Sequence, residues 1–500
     1  MSQLKKLASQ TALYGLSNVG AKLINYLLNP LLSYALVDAA GKAANGNMAL
    51  LYASITFLNI VFTYGMETAY FRFSAHKEIS KQTLFQTSFT SLFFTTLVLS
   101  ACLIFCNAPL AQLIGVDKAV FINYAIAIVA VDTIAAIPFA KLRQQEQPLK
   151  YAFIKIGGIL TTLLLTAWFV LYSPGFCKAH PTSSYAQWIG PLSTTELLLL
   201  ANLLGSLFTF LFLWKEWSSV RFKIDWILWK QILSYSLPFL IIGLGGMINE
   251  VIDRIMLGKL VSPDQLISKT TTAIYNFNYK LAIFITLFIQ AFKMAAEPFF
   301  FNQSKEKEAP LLYAKVMHWF VITLCLAFLF TALFLDVWKF YIGPTYRSGI
   351  GVVPILLAAN VCLGIYYNLA VWYKVSDNLK YGVFITLVGA TITLVLNYIF
   401  IPTYGMFACA WTTFICYAVM MLLSFIIGQK HYPIPYAVKK ISSYLLLTAV
   451  LFFVQSFVAH QLDSLFLKIF SGLIAFALFF VYLIKQEQLH WRQLPFLIKR

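Results

Sequence analysis

Five cations, Lys22, Lys155, Arg254, Lys280 and Lys293, fall inside long apolar runs of this 500-residue chain, and so do the acids Glu67, Asp132, Glu196, Glu250, Asp253 and Glu297. An ionisable side chain near the centre of a bilayer costs about 2.5–3.5 kcal/mol by insertion scales, so most of these groups must face a protein interior or a wet cavity. Lysine and arginine in such a place suit an anion, lysine as a compact point charge and arginine as a planar fork. A carboxylate there suits a proton or a metal cation. The spacing agrees with an inward face. Asn18, Lys22, Asn25 and Asn29 form one stripe of a helix, as do Thr56, Asn59, Thr63 and Glu67, and again Thr286, Gln290, Lys293 and Glu297. Asn249, Glu250, Asp253 and Arg254 cluster on adjoining faces. Lys22, Asn25, Arg254, Lys280 and Lys293 are therefore the candidates for binding an anionic substrate, and Glu67, Asp132, Glu250, Asp253 and Glu297 those for binding a coupling cation.

Plainer readings stand beside these. Lys155 is near enough to a span end to snorkel to the surface. Arg254 can pair with Glu250, and Lys293 with Glu297, each one turn away. Asp132 serves a structural hydrogen bond as readily as a proton. Lys22 is the hardest to explain without a cavity, because no acid stands within one turn of it.

The elements that must position these residues are membrane helices. Hydrophobic residues make up 60% of the chain and charged residues 11%, far more apolar surface than a soluble core of this size buries. A span takes roughly 20 apolar residues. Runs of that kind predict an all-α polytopic membrane protein of about fourteen spans, among them 11–37, 48–72, 118–140, 150–173, 232–258 and 272–300. With the N-terminus inside, the inner segments hold about 24 Lys and Arg and the outer ones about eight, a bias that puts both termini in the cytoplasm. The same bias accounts for the net charge of +18 without nucleic acid as a partner. Met1 to Gln10 lacks the apolar run of a cleaved signal peptide. Seven cysteines, an odd number, form no complete disulfide framework, and Cys102, Cys325, Cys362, Cys409 and Cys416 read as small core residues. Cys102 and Cys106 share a helix face without further ligands, so no metal site is expected. The absence of an HExxH, a Walker loop and a GxSxG points away from an enzyme and from ATP coupling within this chain.

An internal repeat organises the spans. A shift of 230 residues lays Glu67 on Glu297, Tyr70-Phe71 on Phe300-Phe301, Lys77-Glu78 on Lys307-Glu308 and Leu149-Lys150-Tyr151 on Leu379-Lys380-Tyr381. Six spans per unit make the copies parallel, an arrangement found in transporters that rock two bundles about a central site. The division expected is 1–214 for the first bundle, 215–231 for a cytoplasmic amphipathic linker rich in Trp and charge, 232–430 for the second bundle, and 431–500 for two appended helices and a tail. The segment near 176–191 reads as an outer insertion, and Pro30, Pro138, Pro238 and Pro354 mark bends.

Four stretches carry a family likeness: Tyr64-Gly-Met-Glu-Thr-Ala-Tyr-Phe-Arg-Phe73, Leu142-Arg-Gln-Gln-Glu-Gln-Pro148, Ser236-Leu-Pro-Phe239 and Ala291-Phe-Lys-Met-Ala-Ala-Glu-Pro-Phe-Phe300. On these the chain resembles the bacterial polysaccharide biosynthesis proteins, the O-antigen type oligosaccharide flippases of the multidrug/oligosaccharidyl-lipid/polysaccharide exporter superfamily. The resemblance implies alternating access in the bacterial inner membrane. It implies movement of undecaprenyl-pyrophosphate-linked oligosaccharide to the outer leaflet, without a cofactor and with coupling to a proton or sodium gradient. A polysaccharide polymerase and export machinery are the partners it suggests. A cation-coupled multidrug exporter and a lipid II flippase of the same superfamily remain the alternatives.

Overall fold

The computed structural model describes residues 20–488 apart from 21, 75–77, 146, 219, 304–305, 307 and 377. Asn18, the N-terminal start, Lys77, Lys307 and the C-terminal tail lie outside the described residues. Every described element is helical. The first unit opens with α1 (Leu28–Ala35), α2 (Ala39–Thr63), α3 (Met66–Ser74), α4 (Lys81–Phe105), α5 (Asn107–Ile114) and α6 (Ala119–Gln144). It continues with α7 (Pro148–Ala167), α8 (Ser173–Ala179), α9 (Ser184–Ile189), α10 (Thr194–Phe212), α11 (Trp214–Trp217) and α12 (Trp226–Leu260). Beyond these come α13 (Gln265–Gln303), α14 (Ala309–Ala332), α15 (Leu335–Trp338), α16 (Val352–Leu369), α17 (Val371–Val375), α18 (Leu379–Tyr404), α19 (Met406–His431), α20 (Val438–His460) and α21 (Leu465–Gln486).

Among the described residues twelve helices are long and apolar enough to cross a membrane, and the chain is a polytopic membrane protein. Of the other expected spans, 11–37 is described from residue 20 onward, except 21, and is helical at 22–26 and Leu28–Ala35. The span 272–300 falls within a single 39-residue helix, Gln265–Gln303. Two compact units divide the chain, one of residues 1–277 and 386–412, the other of 278–385 and 413–500. The dividing points fall inside α13, α18 and α19, so three unbroken helices belong to both units. In the first unit, α12 packs along α2 and α3. In the second, α20 and α21 pack on α14. Glu487, just past α21, accepts from His318 at 3.0 Å and from Tyr444 at 2.9 Å, which pins the last helix to its neighbours.

Three expectations need correction. The span 48–72 is not one helix. It breaks at Tyr64 (φ 34°) and Gly65 (φ 72°), a left-handed pair that ends α2 and restarts as α3. The linker 215–231 is not one amphipathic helix: α11 is a single turn, 220–225 are non-helical, and α12 starts at Trp226. Asp225 causes that start, because its carboxylate caps the amides of Ile227 and Leu228 at 3.1 and 3.0 Å. The non-helical stretch is held by packing on α4, with Phe222 5.1 Å from the Phe93 ring and the Asp225 amide donating to Thr87. Cys102 is exposed on its helix and is no core residue, whereas Cys325, Cys409 and Cys416 are buried.

Glycines set the closest helix contacts, as expected where small residues let backbones approach within a membrane. On α7 and α10, a Cβ at Gly158 would sit 3.1 Å from the Gly205 carbonyl, and one at Gly205 would sit 2.8 Å from that of Gly158. At Gly65 a Cβ would lie 2.8 Å from both the Phe239 Cβ and the Ser236 carbonyl, at a φ that already disfavours any other residue. Gly65→Ala is therefore expected to lose about 1–3 kcal/mol of stability from overpacking alone, while Gly175→Ala, where nothing lies within 4 Å, leaves it unchanged. Thermal melts of the two purified variants decide this; equal melting temperatures would contradict it.

Candidate transport site

Three of the four family-like stretches meet at one end of the first unit. Gly65 lies against Ser236 and Phe239, Arg72 sits 4.3 Å over the Tyr235 ring, and Phe73 meets the same ring edge-on. The Tyr70 hydroxyl donates to Gln144 at 2.6 Å. Arg143 forms an ion pair with Glu67 and stacks 4.9 Å over Phe71. The break at Tyr64–Gly65 makes this possible, because it turns α3 away from the axis of α2 and presents Glu67 toward α6.

Above that pair opens a cavity of about 490 Å³. Asn59 of α2 and Glu67 of α3 line it with Asp132 and Arg143 of α6, Lys155 of α7, and Asn202 and Ser206 of α10. Asp132 takes a hydrogen bond from Ser206 and feels the charge of Lys155. Lys155 lines the cavity, its ammonium donating to the Tyr151 hydroxyl at 3.4 Å. The lining holds two carboxylates and two cations, so its charge is balanced with Asp132 ionised, and one proton on Asp132 makes it positive.

The remaining candidates are placed as follows. Lys22 is exposed and lies within electrostatic reach of Glu250 and Lys155; Asn25 and Glu250 are exposed too. Asn29 of the same stripe is fully buried on α1. Arg254 is buried and bonded, its guanidinium donating to the Glu250 carbonyl at 2.7 Å and to Asp253 at 3.1 Å. Asp253 also accepts from the Tyr275 hydroxyl at 2.6 Å. In the second unit Lys280 is half-buried, and the Lys293 ammonium sits 4.8 Å over the Tyr367 ring. Glu297 is on α13, its side chain outside the described residues. The structure thus gathers Glu67 and Asp132 in one cavity with Lys22 within reach of its Lys155, and Arg254 with Asp253 in a separate buried cluster.

Sequence reasoning missed Arg143, Asp117 and Lys269, which all read as loop charges. Lys269 is buried near the start of α13 and pairs with Asp117 between α5 and α6, while Asn47 of α2 donates to the same carboxylate at 2.7 Å. Gly46 permits this, since a Cβ there would lie 2.4 Å from the Lys269 carbonyl. The one signal available from sequence was the glycine between Asn45 and Asn47.

The chain is a helical membrane protein with two carboxylates and two cations around a polar cavity, and its fold is shared with solved membrane transporters. It is similar to the solved structure titled lipid II flippase MurJ in the inward closed conformation, at a TM-score of 0.74 and 12% identity over 96% of this chain and 100% of that one. It is also similar to an inward-facing multidrug resistance MATE family transporter of the MOP superfamily, at a TM-score of 0.62 and 15% identity over 84% and 94% of the two chains. No curated protein matches the chain by sequence. The family model described as polysaccharide biosynthesis protein matches residues 7–304, and the chain belongs to that family.

Burial alone would raise the pKa of Asp117, but the bonds from Asn47 and Lys269 outweigh it and hold the carboxyl below its usual range. The stabilisation this gives is complete at neutral pH and is lost as pH falls through the depressed value. Asp117→Asn is accordingly expected to melt below wild type at pH 7, with the gap closing as pH falls below about 4. A gap that stays constant across that range in thermal melts would show that the pair contributes nothing.

Proposed function

We propose that the protein is a flippase that carries undecaprenyl-pyrophosphate-linked oligosaccharide from the cytoplasmic to the outer leaflet by alternating access, in the assembly of a bacterial surface polysaccharide. Membership of the polysaccharide biosynthesis family supports the substrate class. The observation that carries the transport step is the charge-balanced cavity holding Asp132, Lys155, Glu67 and Arg143. The chain then lies in the inner membrane with both termini in the cytoplasm, and a polymerase would take up the product.

In this reading the protonation state of Asp132 sets the affinity of the cavity for the anion. With its carboxylate ionised, the field of Lys155 is compensated. A proton on Asp132 removes that compensation, and the uncovered charge of Lys155, with Lys22 close by, draws a pyrophosphate from the inner leaflet. Loss of the proton restores the balance and releases the anion. Arg254, committed to Asp253 and the Glu250 carbonyl, shapes the site in this state and does not receive the phosphate. Lys280 and Lys293 belong to the second unit, where they would meet the same substrate at another stage. The glycan is polar and the isoprenoid tail stays in lipid, so the protein has to shelter only the headgroup.

The test is flipping of a lipid-linked oligosaccharide, of lipid II and of a cationic dye in proteoliposomes under an imposed pH or sodium gradient. Wild type is expected to move the oligosaccharide. The Lys22→Gln/Lys293→Gln double variant should lose at least about tenfold of that rate while inserting normally, and Asp132→Asn should lose its response to the gradient. Faster movement of lipid II or of the dye would transfer the assignment to the corresponding alternative, and full activity in both variants would discard the mechanism.

A further inference from the structure

A second, smaller cavity of about 330 Å³ lies at the same end of the first unit, on the other face of α6, and has no part in the flipping mechanism. Tyr70 of α3, Lys81, Phe85 and Gln86 of α4, and Lys141 and Gln144 of α6 form its wall. Its lining carries two ammonium groups and several side-chain amides and, among the described residues, no carboxylate. Lys141 is fixed rather than waving: its ammonium rests 4.1 Å over the Phe85 ring and donates to the Glu216 carbonyl at 3.3 Å, which leaves two of its three N–H donors for something else. Gln144 is fixed too, since the fully buried Tyr70 donates to its amide oxygen. Its amide nitrogen is buried and has no acceptor among the described residues. Buried donors are normally satisfied, and one that is not points to a missing acceptor.

We propose that this cavity binds an anionic phosphate group as an accessory site, separate from the transport cavity. Lys81 and Lys141 supply the charge, and Gln144 an oriented neutral donor. The volume lies at the low end of ligand sites, which run from about 300 to 1,000 Å³, so it fits a phosphate-bearing headgroup and excludes an oligosaccharide. The bias of Lys and Arg places this end at the cytoplasmic face, where anionic lipid headgroups are concentrated. A headgroup phosphate and a soluble phosphate compound present the same chemistry to it. The site has a route to the transport cavity: Gln144 and Tyr70 stand next to Arg143 and one turn from Glu67 on the same two helices. An occupant bracing α3 against α6 therefore steadies the ion pair in the other cavity. The inference holds whatever substrate the protein carries.

Native mass spectrometry of the full-length protein in detergent tests it, with phosphatidylglycerol, phosphatidylcholine or inorganic pyrophosphate as the added probe. Wild type is expected to retain phosphatidylglycerol over phosphatidylcholine, with about tenfold less retained by Lys81→Gln/Lys141→Gln and no change in the exposed control Lys439→Gln. The single variant Lys81→Gln, at the exposed first residue of α4, should show a partial loss and guards against misfolding of the double variant. Pyrophosphate retained in place of the lipid, with the same sensitivity to the two lysines, would support the site and make its source soluble. Equal retention of all probes, or retention unchanged in the double variant, would overturn the proposal.

Discussion

A charge drawn away from water must be met by an opposite charge or by a directed dipole, and the half-exposed ion pair of Arg143 with Glu67 applies that rule where helices of the first unit meet. The pair ties α3 to α6 at the point where the Tyr64–Phe73, Leu142–Pro148 and Ser236–Phe239 stretches converge. It closes one end of the cavity that holds Asp132 and Lys155. Both partners stay partly exposed, so the pair owes its importance to the two helices it joins and not to burial. The helix break at Tyr64–Gly65, the tight seat of Gly65 on Ser236 and Phe239, and the stacking of Arg72 on Tyr235 all hold the two partners in place.

The same rule recurs at other levels of the structure. Lys269 is buried but answered by Asp117, Arg254 by Asp253, and Glu216 by Lys150. In each case the partner comes from another stretch of the chain or from the adjoining residue. What distinguishes the Asp132 region is that its carboxylate is answered less completely, by a hydroxyl and by the field of a lysine held on tyrosine.

Much of the fold was legible because apolar runs and their punctuation are local. Most span limits follow from hydrophobic length, and the starts of α2, α4, α10 and α12 follow from Asp38, Ser80, Ser193 and Asp225 as caps. The candidate site was legible only in part. That Glu67, Asp132, Lys22 and Arg254 sit in apolar context is a one-dimensional fact, but which of them meet is not. Glu67 finds Arg143 76 residues away and Lys269 finds Asp117 at 152, and no helical period encodes such distances. Charges at span ends were the blind spot. Arg143 and Lys269 look like ordinary loop residues until the helices that carry them are extended by a turn. The amphipathic linker was misjudged for a related reason, since its tryptophans and Phe222 pack on protein and Asp225 interrupts the helix that their spacing suggested.

The account stands or falls on the ion pair as a pair. The most direct measurement is transport by Glu67→Arg, by Arg143→Glu and by the two exchanges combined, in proteoliposomes at matched insertion. Each single exchange places like charges together at the mouth of the cavity and should abolish flipping, and the combined exchange should recover a substantial fraction of it, with a coupling on the order of 1 kcal/mol or more. Losses that simply add in the combined variant would mean that the two residues act independently, and that the cavity is not organised around them.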